Sequence, residues 1–153
     1  MPSKNQQIRE LSFHIELLEN YFRNTIIPQL FIDGTLRLQK FSLPAMKQFS
    51  LADSDIGRPI EEIKDNFRFP SIIDNIKKVT DTGEILEKEI QTLDRRWYQM
   101  NIFPYILLQA KKTEGVIVTF VEITAMIEEL RVQKKLVADY EILIRFVTTL
   151  KIP

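Results

Sequence analysis

"GVIVTFVEIT", residues 115–124, holds two structural periods in ten residues. Val116, Val118 and Phe120 recur at every second position, as on one face of a β-strand, and β-branched and aromatic residues favour that state. From Ile123 the spacing changes. Ile123, Met126, Leu130, Val137, Tyr140, Ile144 and Val147 recur in the a/d pattern of a helix with a narrow apolar seam, and Gln133 fills the one gap. A strand therefore runs directly into a long amphipathic helix. Thr124 is expected to cap that helix. Glu122 is placed to face both the positive helix end and a basic strand residue, Arg95 or Arg96. Ile127 stands where a capping box would put its acid, and Glu128 follows one residue late. Glu122, Ile123 and Thr124 either mark a plain helix start or couple strand to helix.

Working back along the chain, "EILEKEIQTL" (84–93) and "RWYQMNIFPYILL" (96–108) are two more strand candidates. Tyr98, Met100 and Ile102 share one face by alternation. Gln99 and Asn101 fall on the other, and Arg96 is expected with them. Tyr98, Met100, Ile102, Val118 and Phe120 are large apolar residues of the core type. "QLFIDGTLRLQKF" (29–41) reads as two short strands around Asp33-Gly34. In "SLPAMKQFSL" (42–51), Ser42 can cap a short helix with Pro44 in its first turn. "DIGRPIEEI" (55–63) is a turn with Gly57 at a positive φ, leading into a short acidic helix. In "PSIIDNIKKVTDTG" (70–83), Ile72, Ile73, Ile76 and Val79 share a helical face and Gly83 is the stop. Two strands, short helices and three strands predict an α+β domain: a five-stranded antiparallel sheet with helices on one face.

Three parts follow: an N-terminal amphipathic helix over 1–27, the domain over 28–124, and a C-terminal helix over 125–153. In the first, Ile8, Leu11, Ile15, Leu18 and Phe22 form a seam, widened by Phe13, Leu17 and Tyr21. That seam packs either on the domain's own core or against a second copy. The C-terminal stripe runs through "YEILIRFVTTLKIP" (140–153) to the last residues. It either meets a second copy or belongs to a longer protein. Met126, Leu130, Val137, Tyr140, Ile144 and Val147 are its seam candidates, and Gln133 either fixes register or is incidental.

Composition narrows the function classes. Lys+Arg and Asp+Glu both total 21, so the chain lacks the basic excess that general nucleic-acid binding needs. No apolar run is long enough to span a membrane. The opening "MPSKNQQIRE" is polar, without the apolar region of a secretory signal, so a cytoplasmic location is expected. There is no cysteine, and the single histidine is His14. Thiolate metal sites, disulfides and a histidine-driven triad within one chain are thereby excluded; a site built only from carboxylates escapes that argument, but no metal site is expected. The carboxylates of "EEIKD" (61–65) read as an exposed helix face, not as acid/base groups.

The segments "LFIDGTLRLQKFS" (30–42), "SDIGRPIEEI" (54–63), "DRRWYQMNIFPY" (94–105) and "GVIVTFVEIT" together resemble a PAS sensor domain, over about residues 28–124. More narrowly, they resemble the PAS domains of chemotaxis methylesterase/methyltransferase fusion proteins and related sensor histidine kinases. Arg95 stands where that family usually has Gly, Glu122 where it has Asp, and Ser42-Leu43-Pro44-Ala45 replaces its commoner Asn-Pro-Ala or Thr-Pro-Ala. The resemblance implies a sensory and dimerisation module of bacterial signal transduction. Such a module is not itself an enzyme; it would be a homodimer acting on a downstream kinase or methyltransferase effector. It also implies that Tyr98, Met100, Ile102, Val118 and Phe120 face inward, as core or as the lining of a ligand pocket, and that Glu122, Ile123 and Thr124 pass a signal from sheet to helix. The alternative is a ligand-free interaction scaffold of a larger chemotaxis-type enzyme. Family members bind haem, flavin or small metabolites, or nothing. Blue-light flavin versions need a cysteine and haem versions often a histidine; with neither in the domain, no haem or flavin is expected. "FVTTLKIP" (146–153) resembles a histidine-kinase phosphoacceptor box, but Thr148 stands in the histidine's place. Phosphorelay through it should fail for want of an imidazole.

Overall fold

The alternation at Val116, Val118 and Phe120 belongs to β5 (Lys112–Glu122) in the computed structural model, which describes residues 2–150 other than 69, 108, 110 and 111. Before it come α1 (Lys4–Arg23), β1 (Gln29–Asp33), β2 (Leu38–Phe41), α2 (Leu43–Phe49), α3 (Ile72–Thr82), β3 (Leu86–Gln91) and β4 (Trp97–Leu107). After it comes α4 (Thr124–Leu150). The five strands form one antiparallel sheet in the order β2-β1-β5-β4-β3. β5 is thus the central strand, and it pairs with both β1 and β4. The long β4–β5 ladder brings Met100 opposite Phe120, Ile102 opposite Val118 and Tyr98 opposite Glu122.

The expected α+β architecture is present. One sheet face carries Leu30, Ile32, Met100, Ile102, Val116, Val118 and Phe120, all at most 1% exposed. α2, α3 and the 3₁₀ stretch Ile60–Phe67 cover it with Ala45, Phe49, Ile60, Ile63, Phe67, Ile72, Ile73, Ile76 and Val79. The α3 residues are those that the helical spacing singled out. Gly83 ends α3 at φ 69°, and Gly57 turns the chain at φ 86°, both in the region glycine favours. Ser42 caps α2, its Oγ accepting from the Ala45 amide at 3.4 Å and the Gln29 amide at 2.9 Å while donating to the Ile27 carbonyl at 2.9 Å. The same hydroxyl therefore starts a helix and ties it to the sheet edge.

Two local expectations change. The β1–β2 hairpin is not a two-residue turn at Asp33-Gly34. The connection is four residues long, and its left-handed position is Leu36, at φ 63°. Asp33 shapes it by accepting from the Thr35 and Arg37 amides at 2.9 and 3.1 Å. Gly34 serves close approach instead, since a Cβ there would stand 3.2 Å from the Glu114 carbonyl oxygen. The expected short acidic helix after Gly57 is present and takes the 3₁₀ form. Arg96 does not join Gln99 and Asn101. Two residues before Tyr98, it has Tyr98's parity and lies on that side of the strand end.

The flanking helices stand apart from this core. Ser3 caps α1 by accepting from the Gln6 amide at 3.2 Å. No residue of α1 or α4 is buried. Ile8, Leu11, Ile15, Leu18, Met126, Leu130, Val137, Tyr140, Ile144 and Val147 are 46–67% exposed. The α1 stripe therefore does not pack on the domain's own core: those seam residues stay in solvent, and only its end approaches β2, where Phe22 is half-buried and Glu19 pairs with Lys40 at 3.2 Å. Thr148 and Thr149 lie in the last turn of α4, whereas Lys151 and Pro153 of the box-like stretch lie outside the described residues. Among the described residues, no helix is long and apolar enough to cross a membrane.

Candidate functional site

The junction of β4, β5 and α4 concentrates the chain's directional contacts. β5 ends at Glu122 and α4 begins at Thr124, leaving Ile123 as the single linking residue. Ile123 is 7% exposed, so the link is buried and not free in solvent. Its amide donates to the Trp97 carbonyl at 2.8 Å. The Trp97 amide donates in turn to Thr124 Oγ1 at 2.9 Å, and that hydroxyl stands 3.4 Å from the Trp97 carbonyl. The first residue of β4 is thereby laced to the first residue of α4.

Thr124 is thus the first helical residue, not the cap. Its hydroxyl is spent on the neighbouring strand, while the first helical hydrogen bond closes from the Ile127 amide to the Ile123 carbonyl at 2.9 Å. Local sequence favours a threonine cap; the tertiary partner at Trp97 competes for the same oxygen and takes it.

Charges complete the junction. Arg96 Nη1 lies 3.5 Å from Glu122 Oε1, and Arg96 Nε lies 3.7 Å from Asp94 Oδ2. Arg96, not Arg95, is therefore the strand partner of Glu122. Arg95 sits in the β3–β4 turn at φ 66°, and its amide donates to the Thr92 carbonyl at 2.9 Å. A left-handed turn position is where glycine is cheapest, which accounts for the arginine being out of pattern there. The Arg96 guanidinium is held further toward its charged form, first by a hydrogen bond with Tyr98 and then by the Glu122 charge. Burial pushes the Tyr98 hydroxyl above its ordinary value, and the Glu122 carboxylate adds to the rise. The Asp94 carboxyl is lowered, chiefly by a hydrogen bond from the Thr92 hydroxyl.

Two contributors were not legible beforehand. Trp97 supplies the backbone groups that bind Ile123 and Thr124, and its ring lies 5.9 Å from the Arg131 guanidinium carbon of α4. Arg131 itself is exposed on α4. The only available signal was a tryptophan at a strand start with an arginine two turns into the next helix.

The pocket candidates Tyr98, Met100, Ile102, Val118 and Phe120 are brought together, each 0–6% exposed, in one packed cluster. Phe49 stacks against both Phe67 and Phe120, with ring centroids 5.1 and 4.8 Å apart. Those rings occupy the space between sheet and helices. The described clefts open elsewhere. One of about 540 Å³ lies by Arg68 and Leu93, one of about 620 Å³ by Asp33 and Glu114, and one of about 260 Å³ between α1 and β2. Among the described residues, no cluster of three or more carboxylate or histidine side chains could hold a metal.

Known proteins resemble this chain in family and in fold. Residues 18–124 match a family model described as a PAS domain. Over 95 residues the chain is 30% identical to a 104.1 kDa protein from the hypE 3′ region of Rhodobacter capsulatus, a match spanning 62% of this chain and 10% of that protein. The chain thus matches about a tenth of that curated relative's length. Among solved structures, it superposes on the histidine kinase ThkA in complex with the response regulator TrrA with TM-score 0.66 at 19% identity, covering 88% of this chain and 39% of that one. It superposes on the PAS domain of Bordetella pertussis BvgS with TM-score 0.61 at 17% identity, covering 82% of this chain and 98% of that one. At such identities the structural likeness concerns the fold alone.

Proposed function

This chain belongs to the PAS domain family, and from that premise we propose that it is a sensory and dimerisation module of a bacterial signal-transduction protein, acting in the cytoplasm. In this reading it has no catalytic step of its own. It passes a conformational change from the sheet into α4, and from α4 to a downstream kinase or methyltransferase effector. The observation that carries the reading is the lacing of Trp97 to Ile123 and Thr124 at the foot of a 27-residue helix that buries nothing. A displacement of β4 or β5 moves the start of that helix directly. The helix in turn has an uncommitted apolar seam with which to report the movement to a second copy. The test is a chimera joining residues 1–147 to an active kinase output. Thr124→Val keeps the shape of the side chain but removes the bond to Trp97, and it should shift basal activity. Unchanged activity would count against transmission through this junction.

A second reading is a ligand-free interaction scaffold within a larger chemotaxis-type protein. It is favoured by the filled core, because Phe49, Phe67, Met100 and Phe120, each at most 3% exposed, stand where a ligand would have to enter. This reading leaves out haem and flavin: the packed rings would have to be displaced to admit either, and the core offers no imidazole for a haem iron and no thiol for a flavin photoadduct. The purified protein is accordingly expected to be colourless. Native mass spectrometry of freshly purified protein separates the two readings: a retained small molecule supports sensing, and its absence supports the scaffold.

A further inference from the structure

We infer that Arg131 is a positioning residue, docking over the Trp97 ring so that β4 sets the direction of α4 as well as its starting point. The Ile123 and Thr124 bonds fix only one end of the helix. A rod pinned at one end keeps its angular freedom. α4 is 27 residues long, about 40 Å at the usual rise. With no buried side chain, α4 has no packed face to hold that angle in the single chain. A second contact two turns up the rod is what defines a line. Arg131 lies seven residues past Thr124, about 10 Å along the axis. Its guanidinium carbon is 5.9 Å from the Trp97 ring centroid, within reach of a cation–π contact.

The chemistry suits a setting that can be changed. Trp97 alternates with the buried Tyr98 and Met100, so its ring stands on the sheet face away from the core, half-buried. Arg131 is exposed, and among the described residues it forms no ion pair. An exposed contact of this kind shifts the docked-to-free ratio only about two- to fivefold. That holds a preferred exit angle without locking it. The inference deepens the transmission reading and rests on it for its consequence in signalling.

Because the chain has no cysteine, two can be introduced cleanly for spin labels. Lys88→Cys on β3 and Asp139→Cys on α4 both fall at exposed positions and report the angle as one distance. The labelled chain, mixed with excess unlabelled chain, keeps the measurement within one molecule. The parent should give a distance distribution dominated by one docked population, with a minor broader one. Arg131→Gln and Trp97→Leu should each broaden it about twofold, with strand circular dichroism unchanged, while Arg131→Lys keeps the cation and stays narrow. An unchanged width in Arg131→Gln would overturn the inference, and so would Arg131→Lys broadening as much as Arg131→Gln. The width reads geometry alone. If it changes while the Arg131→Gln chimera keeps the parent's kinase activity, positioning stands and transmission fails. If it does not change, positioning fails whatever the chimera does.

Discussion

Arg96 reaches past Tyr98 to Glu122, the residue paired with Tyr98 at the end of the β4–β5 ladder, with Nη1 3.5 Å from Oε1. Both charged side chains are largely in water, 60% and 47% exposed, so solvent screens the pair and it adds little to stability. Glu122→Ala should therefore leave the melting temperature within about 2–4 °C of the parent. In the chimera joining residues 1–147 to a kinase output, it should nevertheless shift basal activity, because the pair bridges the two strand ends at the root of α4. Activity equal to the parent's would reduce Glu122 to a helix-start residue. Unfolding would make it a core strut.

Arg95→Gly should stabilise the domain. Arg95 holds φ 66°, where a side chain is crowded against its own backbone and glycine is not. The expected gain is about 0.5–1 kcal/mol, read as a higher urea midpoint at unchanged slope. A lower midpoint would mean that the arginine side chain makes a compensating contact.

Ser42→Ala should cost about 2 kcal/mol. The Ser42 side chain is fully buried and serves the Gln29 amide, the Ala45 amide and the Ile27 carbonyl together. Alanine leaves those groups without their partner in a place water does not readily reach. Chemical denaturation reads the loss; a change under about 0.5 kcal/mol would indicate that water replaces the hydroxyl.

Ile144→Lys combined with Val147→Lys should convert a dimer to a monomer in light scattering at tens of micromolar. Both residues are 47% exposed in the single chain, so the strand signal in circular dichroism should survive. A parent protein that is already monomeric at that concentration removes the helix-seam dimer from consideration.

Acid should weaken the β1–β2 hairpin through Asp33. Burial raises its carboxyl, but hydrogen bonds from the Thr35 hydroxyl, the Arg37 amide, Gln39 and the Thr35 amide outweigh that, and the net shift is downward. A depressed carboxylate stabilises the fold above its unfolded value, about pH 3.9, and the contribution disappears as pH falls through the folded value. Asp33→Asn should flatten the stability–pH profile below about pH 4. An identical acid limb in the variant would mean that other groups carry it.

Features governed by near neighbours were legible in the chain itself. The alternation at Tyr98, Met100 and Ile102 and at Val116, Val118 and Phe120 told which residues share a face, because pleating makes side-chain direction a property of position parity, while the family resemblance made that face the inner one. Gly57 and Gly83 declared their turns, and Ser42 its cap, since φ preference and capping act over a few residues. Five antiparallel strands with helices on one face followed from the order of periods. Tertiary structure alone decided what depends on residues far apart. It seated β5 between β1 and β4, took the Thr124 hydroxyl away from capping and gave it to Trp97, and chose Arg96 over Arg95 as the partner of Glu122. It also left the α1 stripe in solvent, although the same stripe would suit burial equally well. An apolar seam states only that something should cover it. Which surface lies within reach is set by where the folded chain ends each element, and that information is not local.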